Sequence, residues 1–204
     1  MSNRYIALEG IEGAGKSTLA RRLVTRLEAG GYEATLVREP GGTTTGERIR
    51  DVLLDPDAVI QPWTETLLFA AARAQLVRDV VEPALAAGSW VVSDRSVYSS
   101  LAYQGAGRGL GIDLVRLVND AGLGGRWPDL VVLLRLEPAA GLERQEIADR
   151  IGAEGVTFQR RVSEAFDTLA AADADRFVVV DATRPVDEII EEIWDRLHRQ
   201  RHRS

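Results

Sequence analysis

The stretch GIEGAGKST, residues 10–18, constrains this chain more than any other. Gly10, Gly15, Lys16 and Ser17 satisfy G-x-x-x-x-G-K-[ST], between an apolar strand-like run and an amphipathic helical pattern, the context that a phosphate-binding loop requires. Glycines let the backbone curl so that successive N–H groups face inward around phosphate oxygens, and the N-terminus of the following helix adds its partial positive charge. Gly10, Ile11, Glu12, Gly13, Ala14, Gly15, Lys16, Ser17 and Thr18 are therefore the expected ATP-binding positions. Lys16 is the only lysine among 25 basic residues. A compact ammonium on a flexible stem reaches between β- and γ-phosphates, where a planar guanidinium does not fit. The Ser17 hydroxyl is placed for Mg²⁺, which takes few protein ligands and keeps several waters.

Around this loop the chain alternates two patterns. Apolar, β-branched runs occur at 5–8, 34–37, 90–93, 130–136 and 177–180, each suited to a buried parallel strand. Between them, Leu19, Leu23 and Leu27 recur at helical spacing until Gly30-Gly31, residues 65–87 read as a long helix that Pro83 kinks or interrupts, and 186–197 reads as a closing amphipathic helix. The expectation is an α/β fold with a parallel five-stranded sheet and helices on both faces. GAGRGLG (105–111) reads as a mobile surface loop, the stretch 145–155 as a second, and the basic tail from Arg196 as a solvated helix end. At 204 residues and 45% hydrophobic, one domain spanning 1–204 is expected. Zero Cys and two His argue against a disulfide framework or a zinc centre. The N-terminus lacks the apolar core of a signal peptide, so a cytoplasmic protein is expected. A net charge of −6 argues against nucleic-acid and membrane-surface partners.

A phosphate cradle alone leaves ATPase, GTPase and kinase open. The guanine motif N-K-x-D would need a second lysine. Three further clusters point to a second nucleotide as acceptor. VREPGGT (37–43) places Arg38 at the carboxyl edge of the sheet, where α/β ligand sites form. In LLFAAARAQ (67–75), Phe69 and Arg73 are four apart, so an aromatic face and a guanidinium project to one side of a helix. SDRSVYSSLAYQG (93–105) carries Asp94 and Arg95 at a strand end, then Ser100, Tyr103 and Gln104. Asp94 beside the cradle suits Mg²⁺ or acceptor-phosphate work.

Together, GIEGAGKST, REPGGT, the F-x-x-x-R helix, the strand-end DR and SSLAYQG resemble bacterial thymidylate kinase, with further likeness at DRI (149–151) and VDATRP (180–185). The resemblance implies a nucleotide-kinase fold of the phosphate-loop NTPase type with a short lid. It also implies a homodimer and Mg²⁺-dependent transfer of the ATP γ-phosphoryl group to dTMP, giving dTDP and ADP on the way to dTTP. By the same likeness Phe69 stacks on thymine, Arg73 bonds the base carbonyl, and Ser100 and Gln104 contact the base edge. Arg38 and Arg95 grip the acceptor phosphate, Tyr103 presses on the sugar where a ribose 2′-hydroxyl would sit, and Glu12 faces the acceptor sugar and phosphate. Where the family has an aromatic residue after DR and an acid two positions later, this chain has Ser96 and Tyr98. Position 14 is Ala, so the lid, residues 141–155, is expected to supply the transition-state arginine, with Arg150 first and Arg144 second. Two other readings stay open: a kinase for dUMP, dCMP or a deoxynucleoside, and a non-catalytic ATP-binding module.

Overall fold

The computed structural model describes residues 4–144 and 150–201, the side chains from 198 onward excepted. Five strands, β1 (Tyr5–Glu9), β2 (Ala34–Arg38), β3 (Trp90–Asp94), β4 (Leu130–Arg135) and β5 (Phe177–Asp181), form one sheet in the order β2-β3-β1-β4-β5. Every pairing is parallel. β1 is buried along its whole length, whereas β2 and β5 at the edges each leave residues exposed. Apolar continuity in the middle and alternation at the edges follow from covering the central strands on both faces.

Between the strands run α1 (Lys16–Ala29), α2 (Thr44–Leu54), α3 (Pro62–Leu76), α4 (Glu82–Ala86), α5 (Val97–Ser100), α6 (Ile112–Leu123), α7 (Pro138–Glu143) and α8 (Gly155–Ala172), and α9 (Val186–Arg201) follows the last strand. The leucine repeat of α1 is buried against the sheet. α9 buries Ile189, Ile190, Ile193 and Leu197, and Trp194 packs beside Gly30, where a Cβ would come within 2.3 Å of its ring. The tail is not wholly solvated, because Arg196 donates to the carbonyls of Asp175 and Phe177.

Two sequence expectations are refined. The α-helix beginning at Pro62 is interrupted just before Pro83, in keeping with the expected kink or interruption. It widens into a π segment, Val77–Val81, and re-forms as α4 with Pro83 in its first turn, where a missing N–H costs least. The expected surface loop at 105–111 is only half a loop: residues 108–111 leave the helix, with Gly109 and Gly111 exposed, but 105–107 do not. Leu101–Gly107 form a second π segment continuing α5, with Gly105 and Gly107 buried. A Cβ at Gly107 would lie 2.8 Å from the Phe158 ring, so this glycine serves close packing of α8, not mobility.

Candidate active site

Parallel pairing brings three charged strand ends to one edge, since Arg38 pairs with Asp94, and Asp94 with Leu8 beside Glu9. The phosphate loop leaves β1 there. Gly13 has φ 73°, and a Cβ on it would meet the Gly141 carbonyl oxygen at 2.1 Å, so only glycine passes under α7. The Lys16 ammonium donates to the carbonyls of Gly10 (3.0 Å) and Ile11 (2.6 Å). Burial, together with the Arg95 guanidinium, pushes its pKa down to about 8. The Ser17 hydroxyl donates to the Asp94 carboxylate at 2.5 Å, which places two hard oxygen donors together at the N-terminus of α1. Such a pair suits a divalent cation that takes its remaining ligands from water and phosphate. Among the described residues no cluster of three acidic, His or Cys side chains offers a protein-only metal cage.

Arg95 is the one non-glycine residue with positive φ (73°) among those described. This costs local energy and aims its guanidinium back over the phosphate loop. There it pairs with Glu12, donates to the Gly10 carbonyl (3.3 Å) and Ser99 Oγ (3.2 Å), and lies 5.1 Å above the Tyr103 ring. Burial alone would raise the Glu12 pKa, but Arg95 and then Lys16 outweigh it and hold the carboxyl below its usual range. The turn is braced from beneath by Glu9, whose buried carboxylate accepts from the backbone N–H and hydroxyl of both Ser96 and Ser99. Burial raises the Glu9 pKa despite these donors. The departures at 96 and 98 thereby acquire a reason. Ser96 caps α5, bonds Glu9, and offers its carbonyl to Arg73 (3.2 Å). Tyr98 turns into the core, edge-on to Phe177, with its hydroxyl on Asp173 (3.0 Å).

Across the edge from the loop, α3 and the second π segment form a pocket. Arg73 is buried and held on three sides, by Glu39 (Nε to Oε2, 2.6 Å), by the Asn119 side chain, and by the Ser96 carbonyl. Three of its five N–H groups are so engaged, which leaves two to donate. Phe69 lies one turn before it. Phe69, Arg73, Ser100, Tyr103 and Gln104 line the same cavity of about 810 Å³ as Arg38, Asp94, Arg95 and the loop residues Glu12, Gly13, Gly15, Lys16, Ser17 and Thr18. Gly10, Ile11 and Ala14 sit behind that wall, the last two in the core. Arg38 pairs with Glu47 (2.7 Å), whose other oxygen accepts from the Gly42 N–H (2.6 Å), fixing the loop after β2.

The two lid arginines part company. Arg144, the C-cap residue just after α7, lines the cavity. Arg150 is not among the lining residues: it donates to the Leu53 carbonyl (2.9 Å) and pairs with Glu65 (2.8 Å). Residues 145–149, including Asp149 of DRI, lie outside the described residues. Four functional candidates escaped the motif reading. Glu9 and Glu39 are buried acids at strand ends, Arg50 lines the cavity and donates to the Pro40 carbonyl (2.8 Å), and Glu65 gathers several donors. A charged residue closing an apolar strand was the one available signal for Glu9 and Glu39. Arg50 and Glu65 read as ordinary helix-surface residues.

A family model described as thymidylate kinase matches residues 8–193. The chain is 51% identical to the thymidylate kinase of Deinococcus radiodurans, covering 97% of this chain and 98% of the other. It is 46% identical to that of Halothermothrix orenii, covering 97% of each, and 46% identical to that of Desulfosudis oleivorans, covering 91% and 92%. With the G-x-x-x-x-G-K-S loop and the Phe69–Arg73 pocket on one cavity and matches over nearly the whole length of these relatives, the chain belongs to the thymidylate kinase family.

Proposed function

We propose that this chain, as a thymidylate kinase, moves the γ-phosphoryl group of ATP to dTMP within the cavity between the phosphate loop and the Phe69–Arg73 pocket. The observation that carries the reading is that donor cradle and base pocket line one cavity, with Arg38 and Arg95 also on its wall. Phosphoryl transfer needs two nucleotides in line and their charge met; it needs little covalent chemistry from the protein. Lys16 leaves its loop carbonyls for the β- and γ-phosphates, and the loop N–H groups hold the remaining oxygens. Arg95 and Arg38 hold the dTMP phosphate so that one of its oxygens attacks the γ-phosphorus as ADP departs. Glu12, paired with Arg95, keeps that guanidinium aimed. Phe69 stacks on thymine, Arg73 donates to its 4-carbonyl, Ser100 and Gln104 meet the base edge, and Tyr103 closes against the deoxyribose. Ser17 and Asp94 would hold Mg²⁺, which supplies charge neutralisation between the phosphates when bound. Arg144, on the cavity wall, is the first choice for the arginine meeting transition-state charge. Residues 1–204 act as one kinase domain, as a homodimer, in the cytoplasm and without nucleic-acid or membrane partners. Among the described residues no helix is long and apolar enough to cross a membrane.

An ADP-release assay across a panel of nucleoside monophosphates tests this. dTMP is expected to exceed dCMP in kcat/KM by more than about tenfold, because cytosine puts an amino group against the Arg73 donors and leaves them unpaired. Equal values would overturn the role of Arg73. No turnover of any monophosphate would overturn the kinase reading.

A further inference from the structure

Glu65 touches none of the phosphate machinery, yet it is 1% exposed. It stands in the first turn of α3, four residues before Phe69 and eight before Arg73, so the three share one helix face. Its Oε1 accepts from the Gln104 side-chain amide (2.8 Å) and from Arg108 Nε (3.2 Å), while Oε2 faces Arg108 (3.1 Å) and Arg150 (2.8 Å). Burial pushes this carboxyl pKa up, but the bonds from Arg108 and Gln104 outweigh it and hold the group ionised. A carboxylate has no proton to give, so the end of Gln104 turned toward it is the amino end. The carbonyl end accepts nothing from any described residue, on a side chain that lines the cavity beside Phe69, Arg73 and Ser100. The Ser100 hydroxyl, one turn earlier, is likewise buried without a partner.

We propose that Glu65 is a specificity-determining positioning residue: by occupying the amino end of Gln104 it presents the Gln104 carbonyl oxygen to the ring N–H of a 2,4-dioxopyrimidine. The inference rests on the thymidylate reading of the site and deepens it. Cytosine carries a lone pair at that ring nitrogen, so oxygen would face nitrogen with no proton between them. Two positions of the base are then read independently, the exocyclic carbonyl by Arg73 and the ring N–H by Gln104. Arg108 and Arg150 make the device work by keeping a buried carboxylate charged, and with Glu65 neutral either end of the Gln104 amide can face it.

The test is the ratio of dTMP to dCMP affinity, by calorimetry on the full chain, with melting temperature recorded alongside. Gln104→Met is expected to lower the ratio at least about tenfold, the effect of one buried hydrogen bond. Glu65→Gln is expected to lower it at least about threefold, and to add nothing in the Gln104→Met background, because Glu65 acts through Gln104. N3-methyl-dTMP should bind wild type at least about tenfold more weakly than dTMP, with the penalty shrinking in Gln104→Met. Should Glu65→Gln not fold, Glu65→Asp keeps the charge, withdraws it by one methylene, and is expected to lower the ratio in the same direction. A structural role for Glu65 would lower the melting temperature and both affinities alike; an unchanged ratio in the Glu65 variants therefore overturns the proposal. Failure of wild type to turn over dTMP would overturn the functional reading instead.

Discussion

Lys16 is a residue that the fold keeps at a cost, its ammonium buried on the carbonyls of Gly10 and Ile11. Its pKa is depressed from 10.5 to about 8, first by burial and then by Arg95. Between those two pH values the unfolded chain holds a proton that the native protein has released, so native stability rises with pH across that window. Below pH 8 the whole penalty of burying the cation is present, at most about 3 kcal/mol from the size of the shift. Lys16→Met is therefore expected to be more stable than wild type at pH 7. The advantage should shrink as pH climbs from 8 toward 10.5, as denaturant melts in a pH series would show. The same variant should lose most of kcat at saturating ATP, since the ammonium serves phosphates and not the core. A stability difference that does not vary with pH would refute the linkage, and near-normal turnover would refute the role. Arg95 is a second such residue, with a left-handed backbone held by the Glu9 brace beneath it.

At the scale of elements, the segments around α7 and the 3₁₀ turn at Gly152–Glu154 give the two lid arginines different neighbours. α7 abuts the phosphate loop, with Gly141 against Gly13 and Glu12, so the C-cap residue just after it reaches the cavity. Arg150, on the far side of the undescribed residues, instead ties that region to the C-terminal end of α2 and the first turn of α3. Arg144→Ala is expected to lower kcat at least about a hundredfold with little change in dTMP affinity, the scale of losing one preorganised charge-stabilising donor. Arg150→Ala is expected to cost on the order of 1–3 kcal/mol of stability, because it strips a donor from a buried carboxylate. Single-turnover kinetics paired with thermal melts separate the two. The opposite pattern, a crippled but stable Arg150→Ala beside an active Arg144→Ala, would return the transition state to Arg150.

At the scale of the whole molecule, a group of large apolar side chains is left exposed. α3 packs between α2 and α6, and these neighbouring helices expose Val52, Trp63, Leu67 (55%), Leu114 and Leu117 (69%). Trp63 and Leu67 are four apart, Leu114 and Leu117 three apart, so each pair shares a face. A second copy of the chain laid on this surface would bury them, the arrangement we assign to the homodimer. Leu67→Arg together with Leu117→Arg is expected to shift sedimentation from dimer to monomer at micromolar concentration. A dimer unaffected by both charges would move the interface elsewhere, and a monomeric wild type would remove it. Because α3 also carries Glu65, Phe69 and Arg73, the monomeric variant should bind dTMP more weakly as well.

The elements whose reasons are local were legible in the sequence. The phosphate loop needs particular glycines, a lysine and a hydroxyl at fixed offsets, and five apolar runs suit the strands of a parallel sheet; both emerged where expected, although β2 and β5 at the edges leave residues exposed. The motif residues Arg38, Phe69, Arg73, Asp94, Arg95, Ser100, Tyr103 and Gln104 also met in one cavity, the first, fourth and fifth because parallel strands deliver their ends to a common edge, the others because α3 and the α5–π helix pack beside that edge. Partner choice depended on the tertiary structure. Glu9, Glu39 and Glu65 lie 87, 34 and 39 residues from Ser96, Arg73 and Gln104, so no window of sequence contains both halves of those contacts. A glycine-rich run has the composition of a loop until a second helix packs on it, and Gly107 became buried only because α8 brought Phe158 against it. Local backbone chemistry and periodicity act within a few residues and can be read from the chain; desolvation and charge pairing belong to whichever distant groups the fold brings together.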